Sequence, residues 1–236
     1  MPAYNAEKTL AETYQEIPLD LVDKVILVDD ASSDRTSEMS KKLGLETIIH
    51  PQNRGYGANQ KTCYRAALDS GADLVVMLHP DYQYTPKLIS AMVYLLESGT
   101  FEVVLGSRIL GGKALSGGMP VYKYFSNRVL TLIQNLLMGA KLSEYHTGYR
   151  AYTRGVLEAI AWEKNSDDFI FDNQFLSQIL FKGFNVGEIS CPAKYFAEAS
   201  SINFTRSVKY GLGCLWTAFR YRLAKMGIGS WLFPSN

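Results

Sequence analysis

The stretch VVMLHPDYQYTP, from Val75 to Pro86, places His79, Asp81 and Gln83 at alternate positions of one proline-bracketed turn. A carboxylate at this point, Asp81, can hold a metal against a phosphate-bearing ligand. As ordinary turn chemistry the same residues would only cap a loop. Further candidates follow the same logic. In DDASSDRT, from Asp29 to Thr36, Asp29 or Asp30 could accept hydrogen bonds from ribose hydroxyls or a base, while Asp34 or Ser33 suffices to cap the next helix. Arg108 is placed for bidentate phosphate contact, against the alternative of a surface ion pair. Asp172, at the start of a helix, is either a general base or a cap.

Apart from Asp172, these side chains each follow an apolar run, and an open α/β sheet keeps its ligands beyond the carboxyl ends of its strands. Short apolar runs predict strands at Val25–Val28, Thr47–Ile49, Val75–Leu78, Val103–Leu105 and Val186–Ser190. Helical spacing predicts helices over Ala6–Glu16, Thr36–Leu43, Gln60–Ser70, Pro86–Glu97, Tyr122–Met138, Gly155–Trp162 and a segment ending at Phe181. The chain opens on Pro2-Ala3-Tyr4-Asn5, a loop of the kind that follows a strand, so a first strand cut short is expected. Gly55 and Gly57 precede a helix and let backbone approach a ligand or a neighbouring loop. Lys61 lies outside any GxxxxGK[ST] pattern, which excludes a P-loop NTPase. Four glycines within residues 109–119 suggest a lid.

The composition fits a globular body of one large core with an appendage: 236 residues, 47% hydrophobic and 20% charged. The net charge of +1 gives no bulk attraction to nucleic acid. Cys63, Cys191 and Cys214 form no CxxC pair, which argues against zinc and disulfides and for buried, small apolar thiols. No signal peptide and no uncharged apolar run of spanning length, about 18 residues, is visible. From Ala199 the chain alternates basic residues (Arg206, Lys209, Arg220, Arg222, Lys225) with Trp216, Phe219 and Tyr221, the pattern of an interfacial helix or of one folded back on the domain.

Six motifs occur in a fixed order: PAYN (Pro2–Asn5), VDDASSDRT (Val28–Thr36), NRGYGAN (Asn53–Asn59), GSR (Gly106–Arg108), HTGYRAYTR (His146–Arg154) and EASSI (Glu198–Ile202). In that order they resemble the inverting glycosyltransferases of family 2, and most closely the polyprenyl-phosphate sugar transferases of the dolichol-phosphate mannose synthase type. The resemblance covers almost the whole chain. It implies a GT-A fold: α/β, a mixed and mostly parallel Rossmann-like sheet flanked by helices, with a C-terminal amphipathic tail. The implied division is a catalytic domain over 1–198, nucleotide-binding to about 108 and acceptor-binding beyond, and a basic, aromatic tail over 199–236.

The resemblance further implies a nucleotide-diphosphate sugar donor, with GDP-mannose favoured. Pro2, Ala3, Tyr4, Asn5, Asp29, Asp30, Asn53, Gly57, His79 and Asp81 would surround the nucleotide. Mn²⁺ or Mg²⁺ would sit on Asp81, Gln83 and His79, although the family's Asp-x-Asp loop here reads His79-Pro80-Asp81 and His79 could instead hydrogen-bond the nucleotide. Arg108, with the metal, would offset charge on the departing diphosphate. A polyprenyl phosphate acceptor, at the cytoplasmic face of a membrane, already carries charge near pH 7 because its second pKa is about 6. A sugar or protein hydroxyl would need a base, for which Asp172 is the candidate. Arg128, Arg150 and Lys209 are the residues expected to receive an acceptor phosphate. A module that binds a nucleotide-sugar without turnover is the non-enzymatic alternative.

Overall fold

The structure is a computed structural model that describes residues 1–192, 204–229 and 232–233. Among the described residues, β1 (Pro2–Ala3), β2 (Ile26–Asp29) and β3 (Glu46–Ile49) form a parallel sheet in that order. A second sheet contains β4 (Leu74–Met77), β5 (Val103–Ser107), β6 (Arg150–Thr153) and β7 (Val186–Ser190) in the order β4-β6-β5-β7. In it β5 and β7 are parallel, while β6 runs against both β4 and β5. The expected mixed α/β sheet is therefore present, and so is the C-terminal helix. PAYN is not wholly a loop: Pro2 and Ala3 pair with Val28 and Asp29.

Strand alternation divides the core in two. Val103, Leu105 and Tyr152 point to a cluster shared with Tyr64, Phe171 and Phe175, while Val104, Ala151 and Tyr149 point to another with Ile89 and Met92. The first face is covered by α3 (Tyr56–Asp69), α7 (Phe171–Lys182) and α8 (Phe204–Lys225), the second by α4 (Ile89–Glu97). Cys63, Cys191 and Cys214 are buried free thiols, as expected.

Boundaries shift where loops make hydrogen bonds that a helix would otherwise use. The first helix, expected from Ala6, is α1 (Leu10–Gln15): the Ala6 and Glu7 amides donate to Thr36 Oγ1 and Asp34 Oδ2 at 2.7 and 3.0 Å instead of entering a helical turn. The second, α2 (Thr36–Lys42), has Arg35 at its N-cap position with no side-chain cap bond; Asp34, expected as the cap, lies one residue earlier and accepts from the Thr36 amide at 3.0 Å. The helix expected from Gln60 starts four residues earlier, at Tyr56, after Gly55 turns the chain at φ 98°. β6 has no counterpart among the expected strands. α5 (Val121–Met138) leaves one side in solvent: Phe125, Val129, Leu132 and Leu136, at helical spacing, are all exposed. α8 packs on α5 and α7, so the tail helix folds back while keeping Val208, Leu212 and Trp216 exposed. No described helix is long and apolar enough to cross a membrane. EASSI and the expected domain boundary at residue 198 lie outside the described residues.

Candidate active site

The carboxyl ends of β2, β4 and β5 deliver Asp29, His79 and Arg108 to one edge of the molecule. Because β6 is antiparallel, its start lies there too: Arg150 pairs with Met77 and Leu105, bringing the His146–Gly148 turn to the same edge. A cavity of about 540 Å³ opens at this point, lined by His79, Asp81, Gln83, Arg108 and Asp172 together with residues of α5 and α8. Its size suits a small-molecule ligand.

The 79–83 loop is tightly built. Thr13 Oγ1 donates to the Pro80 carbonyl at 3.2 Å, and the Gln83 amide donates to Asp81 Oδ1 at 3.1 Å. Tyr82 adopts φ 55°, a left-handed conformation uncommon for a side chain of its size. Burial and hydrogen bonding to Glu16 push its phenol up to about 12. Among the described residues no three His, Cys, Asp or Glu side chains converge as a ready-made cation cage. The donor set nonetheless fits a divalent cation: one carboxylate and one amide oxygen on a cavity wall is what Mg²⁺-type sites offer when substrate phosphates complete the shell.

Beside it lies the ledge formed by PAYN and the acidic loop. The Asn5 amide donates to Ser32 Oγ at 2.8 Å, the Ser33 amide donates to Asn5 Oδ1 at 2.9 Å, and Tyr4 is exposed. Asp29 is buried and accepts from the Ser32 hydroxyl and amide. Asp30 departs from expectation: its carboxylate accepts from the Arg54 amide (2.8 Å), the Gly55 amide (2.9 Å) and His50 Nδ1 (2.7 Å), so it holds the 53–55 turn rather than facing a ribose. Asn53 Nδ2 donates to the Asp30 carbonyl at 3.3 Å. Gly57 departs likewise. It lies within α3, where its amide donates to the Asp167 carbonyl at 2.7 Å, and a Cβ there would come within 2.3 Å of the Ser166 carbonyl. Its smallness serves a helix–loop contact and not a nucleotide.

On the opposite wall the Asp172 carboxylate accepts the Tyr56 hydroxyl at 2.6 Å and Gln60 Nε2 at 3.1 Å. Neither partner is a backbone amide, so Asp172 does not cap α7. Arg108 donates through Nε to Glu144 at 2.9 Å and through Nη2 to both Glu144 and the His146 carbonyl. Glu144 is wholly buried; burial alone would raise its carboxyl pKa, and the adjoining Arg108 guanidinium brings it below the usual value. Burial also pushes the His146 imidazole down to about 4, and its Nδ1 lies 2.8 Å from the Tyr210 hydroxyl on α8. Lys123 has its pKa lowered by partial burial and by the neighbouring charge of Arg108.

The expected phosphate-receiving residues are not brought together. Arg150 is wholly buried and donates to the carbonyls of Thr147, Asp172 and Tyr145, so it is an internal strut and no acceptor contact. Arg128 donates to the Ser143 carbonyl at 2.8 Å, and Lys209 is exposed, 3.7 Å from Asp168; neither lines the cavity. Lys123, Tyr56, Glu144 and Tyr210 were not singled out from the sequence. Only Tyr56 carried a signal, as the central residue of NRGYGAN.

The sequence model of "Glycosyl transferase family 2" matches residues 1–161. The chain belongs to this family. It is similar, at 27% identity over 244 residues (96% of this chain, 95% of the relative), to the UDP-N-acetylglucosamine–dolichyl-phosphate N-acetylglucosaminyltransferase of Methanococcus voltae. At 27% over 244 residues (94% and 97%) it is similar to the undecaprenyl-phosphate mannosyltransferase of Micrococcus luteus. Among solved structures, glucosyl-3-phosphoglycerate synthase from Mycobacterium tuberculosis, in complex with Mn²⁺, UDP and glucosyl-3-phosphoglycerate, superposes with a TM-score of 0.70 at 19% identity, covering 98% of this chain and 79% of that one. That likeness concerns the fold. The family 2 chain is thus a glycosyltransferase with the GT-A architecture.

Proposed function

We propose that this glycosyltransferase moves a sugar from a nucleotide-diphosphate donor to a polyprenyl phosphate. The observation that carries the reading is the cavity itself. Its lining joins Asp81, Gln83, Asp172 and two cations, Arg108 and Lys123, to apolar residues of α5 and α8, Val129, Leu130 and Leu215. A lining that is charged in part and apolar in part suits a phosphate on a lipid tail. The relatives' names support that acceptor class, and they differ in sugar; we infer GDP-mannose as the first donor to test and UDP-N-acetylglucosamine as the next.

Asp81 and Gln83 would hold Mg²⁺ or Mn²⁺ on the donor diphosphate. When bound, the ion offsets negative charge on the departing nucleoside diphosphate. Arg108, fixed by Glu144, supplies positive charge beside the same point. Lys123 can hold the acceptor phosphate, which at neutral pH is nucleophilic without a strong base. Its oxygen attacks the anomeric carbon opposite the leaving group and inverts it. The exposed apolar faces of α5 and α8, with basic residues on α8, support docking on an anionic, cytoplasmic-face membrane surface.

A second reading, transfer to a hydroxyl, is favoured by one observation: Asp172 lines the cavity with side-chain partners only. The deciding experiment measures nucleoside diphosphate release from GDP-mannose, UDP-N-acetylglucosamine and UDP-glucose with Mn²⁺. Polyprenyl phosphate is expected to stimulate release and unphosphorylated polyprenol is not. Equal stimulation by both, with a loss of about a hundredfold or more in Asp172→Asn, would establish the hydroxyl reading instead.

A further inference from the structure

His79 occupies the place where a second metal-binding carboxylate is expected, yet its imidazole is built into the Asp172 wall of the cavity. The ring lies parallel to that of Tyr56, with 5.6 Å between centroids and 3° between planes. Its Nε2 is 3.4 Å from the Tyr56 hydroxyl, and a Cβ on Gly148 would come within 2.6 Å of the same nitrogen. Tyr56 is itself stacked on Phe169 from α7's approach, at 4.8 Å.

The hydroxyl of Tyr56 has one proton to give and gives it to Asp172 Oδ2 at 2.6 Å. Toward His79 it can therefore only accept, which makes Nε2 the protonated nitrogen. His79, Tyr56 and Asp172 thus form a directed series: Nε2–H to the phenol oxygen, phenol O–H to the carboxylate. Serial hydrogen bonds in a partly buried setting strengthen one another. Gln60 Nε2 fixes the other carboxylate oxygen at 3.1 Å, so the carboxylate is held on both sides.

We propose that His79 is a positioning residue for Asp172, acting through Tyr56, and not a ligand of the donor's metal. This rests on the reading of the cavity as the sugar-transfer site, with Asp172, a fixed carboxylate on its wall, holding a hydroxyl of the donor sugar whichever acceptor is used. Asp81, Gln83 and donor phosphates already form an oxygen shell of the kind Mg²⁺ and Mn²⁺ prefer. The protonated Nε2 has no lone pair with which to ligate a cation.

Mn²⁺ binding, followed by the electron paramagnetic resonance of the free ion with UDP and with GDP, is measured alongside turnover with polyprenyl phosphate. His79→Ala and Tyr56→Phe are expected to bind Mn²⁺ within about twofold of wild type and each to lose about tenfold in kcat. The double variant is expected to lose no more than the worse single one, because both act on one carboxylate. His79→Gln, which returns an N–H near Nε2, recovers part of the loss, and it carries the comparison if the alanine variant fails to fold. A tenfold weaker Mn²⁺ affinity in His79→Ala with none in Tyr56→Phe makes His79 a metal ligand and overturns the inference; so do additive losses in kcat. A wild-type protein that binds Mn²⁺ with neither nucleotide overturns the donor-site reading itself.

Discussion

Glu144 has no exposed surface, and the Arg108 guanidinium closes over it as an ion pair that also engages the Arg108 amide at 2.8 Å. The same carboxylate accepts Asn127 Nδ2 at 2.8 Å, tying α5 to the end of β5. Removing one partner of a buried pair strands the other charge, which costs about 3–5 kcal/mol. Glu144→Ala should therefore lower the urea midpoint by that measure and cut turnover as Arg108 loses its fixed direction. Combining it with Arg108→Met should restore much of the stability and none of the turnover; recovery of turnover would show that Arg108 has no part in the chemistry.

Asp81 is the carboxylate on which the proposed cation depends. Asp81→Ala is expected to abolish nucleotide-dependent Mn²⁺ binding in calorimetry and to lower kcat by about a hundredfold or more. Chelation of the wild type should have the same effect on turnover and be reversed by added Mn²⁺. Wild-type turnover in Asp81→Ala would remove the metal assignment.

Much of the site is legible in the sequence because its residues follow strands. His79, Asp81, Gln83 and Arg108 come directly after apolar runs that can only be buried strands, and beyond such ends lies one shared edge. What is not legible is the partner each polar group finds. Asp30 and Asp29 are adjacent and alike in type, yet tertiary contacts with His50 and the 53–55 turn consume the carboxylate of Asp30. Arg150 looks like a phosphate ligand until β6, a strand with a charged residue at its head, is seen to bury it. Gly57 resembles a phosphate-loop glycine, and only the packed structure reveals Ser166 against it.

The Gly57 contact gives a direct test. A Cβ at that position would lie 2.3 Å from the Ser166 carbonyl and 2.8 Å from the Phe171 Cβ, closer than real contacts allow. Gly57→Ala should destabilise by about 1–3 kcal/mol through overpacking. Thermal unfolding reads this directly, and nucleotide affinity per folded molecule should be little changed.

The pH dependence of stability follows from His146. Its folded-state pKa of about 4 lies below the ordinary 6.5, because burial penalises the imidazolium more than Glu144 favours it. Above pH 6.5 neither folded nor unfolded chain binds the proton, so there is no contribution. Between 6.5 and 4 the unfolded chain binds a proton that the folded chain refuses, and stability falls as pH falls. The His79 imidazole, also lowered by burial, acts in the same direction. The melting temperature should drop steadily from pH 7 to 5, and His146→Gln should flatten that slope; an unchanged slope would mean that His146 is protonated in the folded protein.

The apolar faces of α5 and α8 make the membrane reading measurable. Leu132, Leu136 and Leu212 are 59%, 72% and 65% exposed, far more than their side chains would be if another part of the described chain covered them. A row of exposed apolar side chains at helical spacing, as on α5, fits an interaction site. Moving a leucine out of water is worth about 1.5–3 kcal/mol when complete, so even partial insertion of three gives a sizeable partition. Arg206, Lys209 and Arg222 on α8 add attraction to anionic lipid that weakens as salt screens it. Sedimentation with anionic vesicles should therefore show binding that declines with ionic strength and falls at least tenfold in the Leu132→Glu, Leu136→Glu double variant, whose two positions lie outside the cavity lining. Turnover of a short, water-soluble polyprenyl phosphate should survive these changes while that of a vesicle-borne one does not; equal loss on both substrates would place these leucines in the catalytic cavity rather than at a lipid surface.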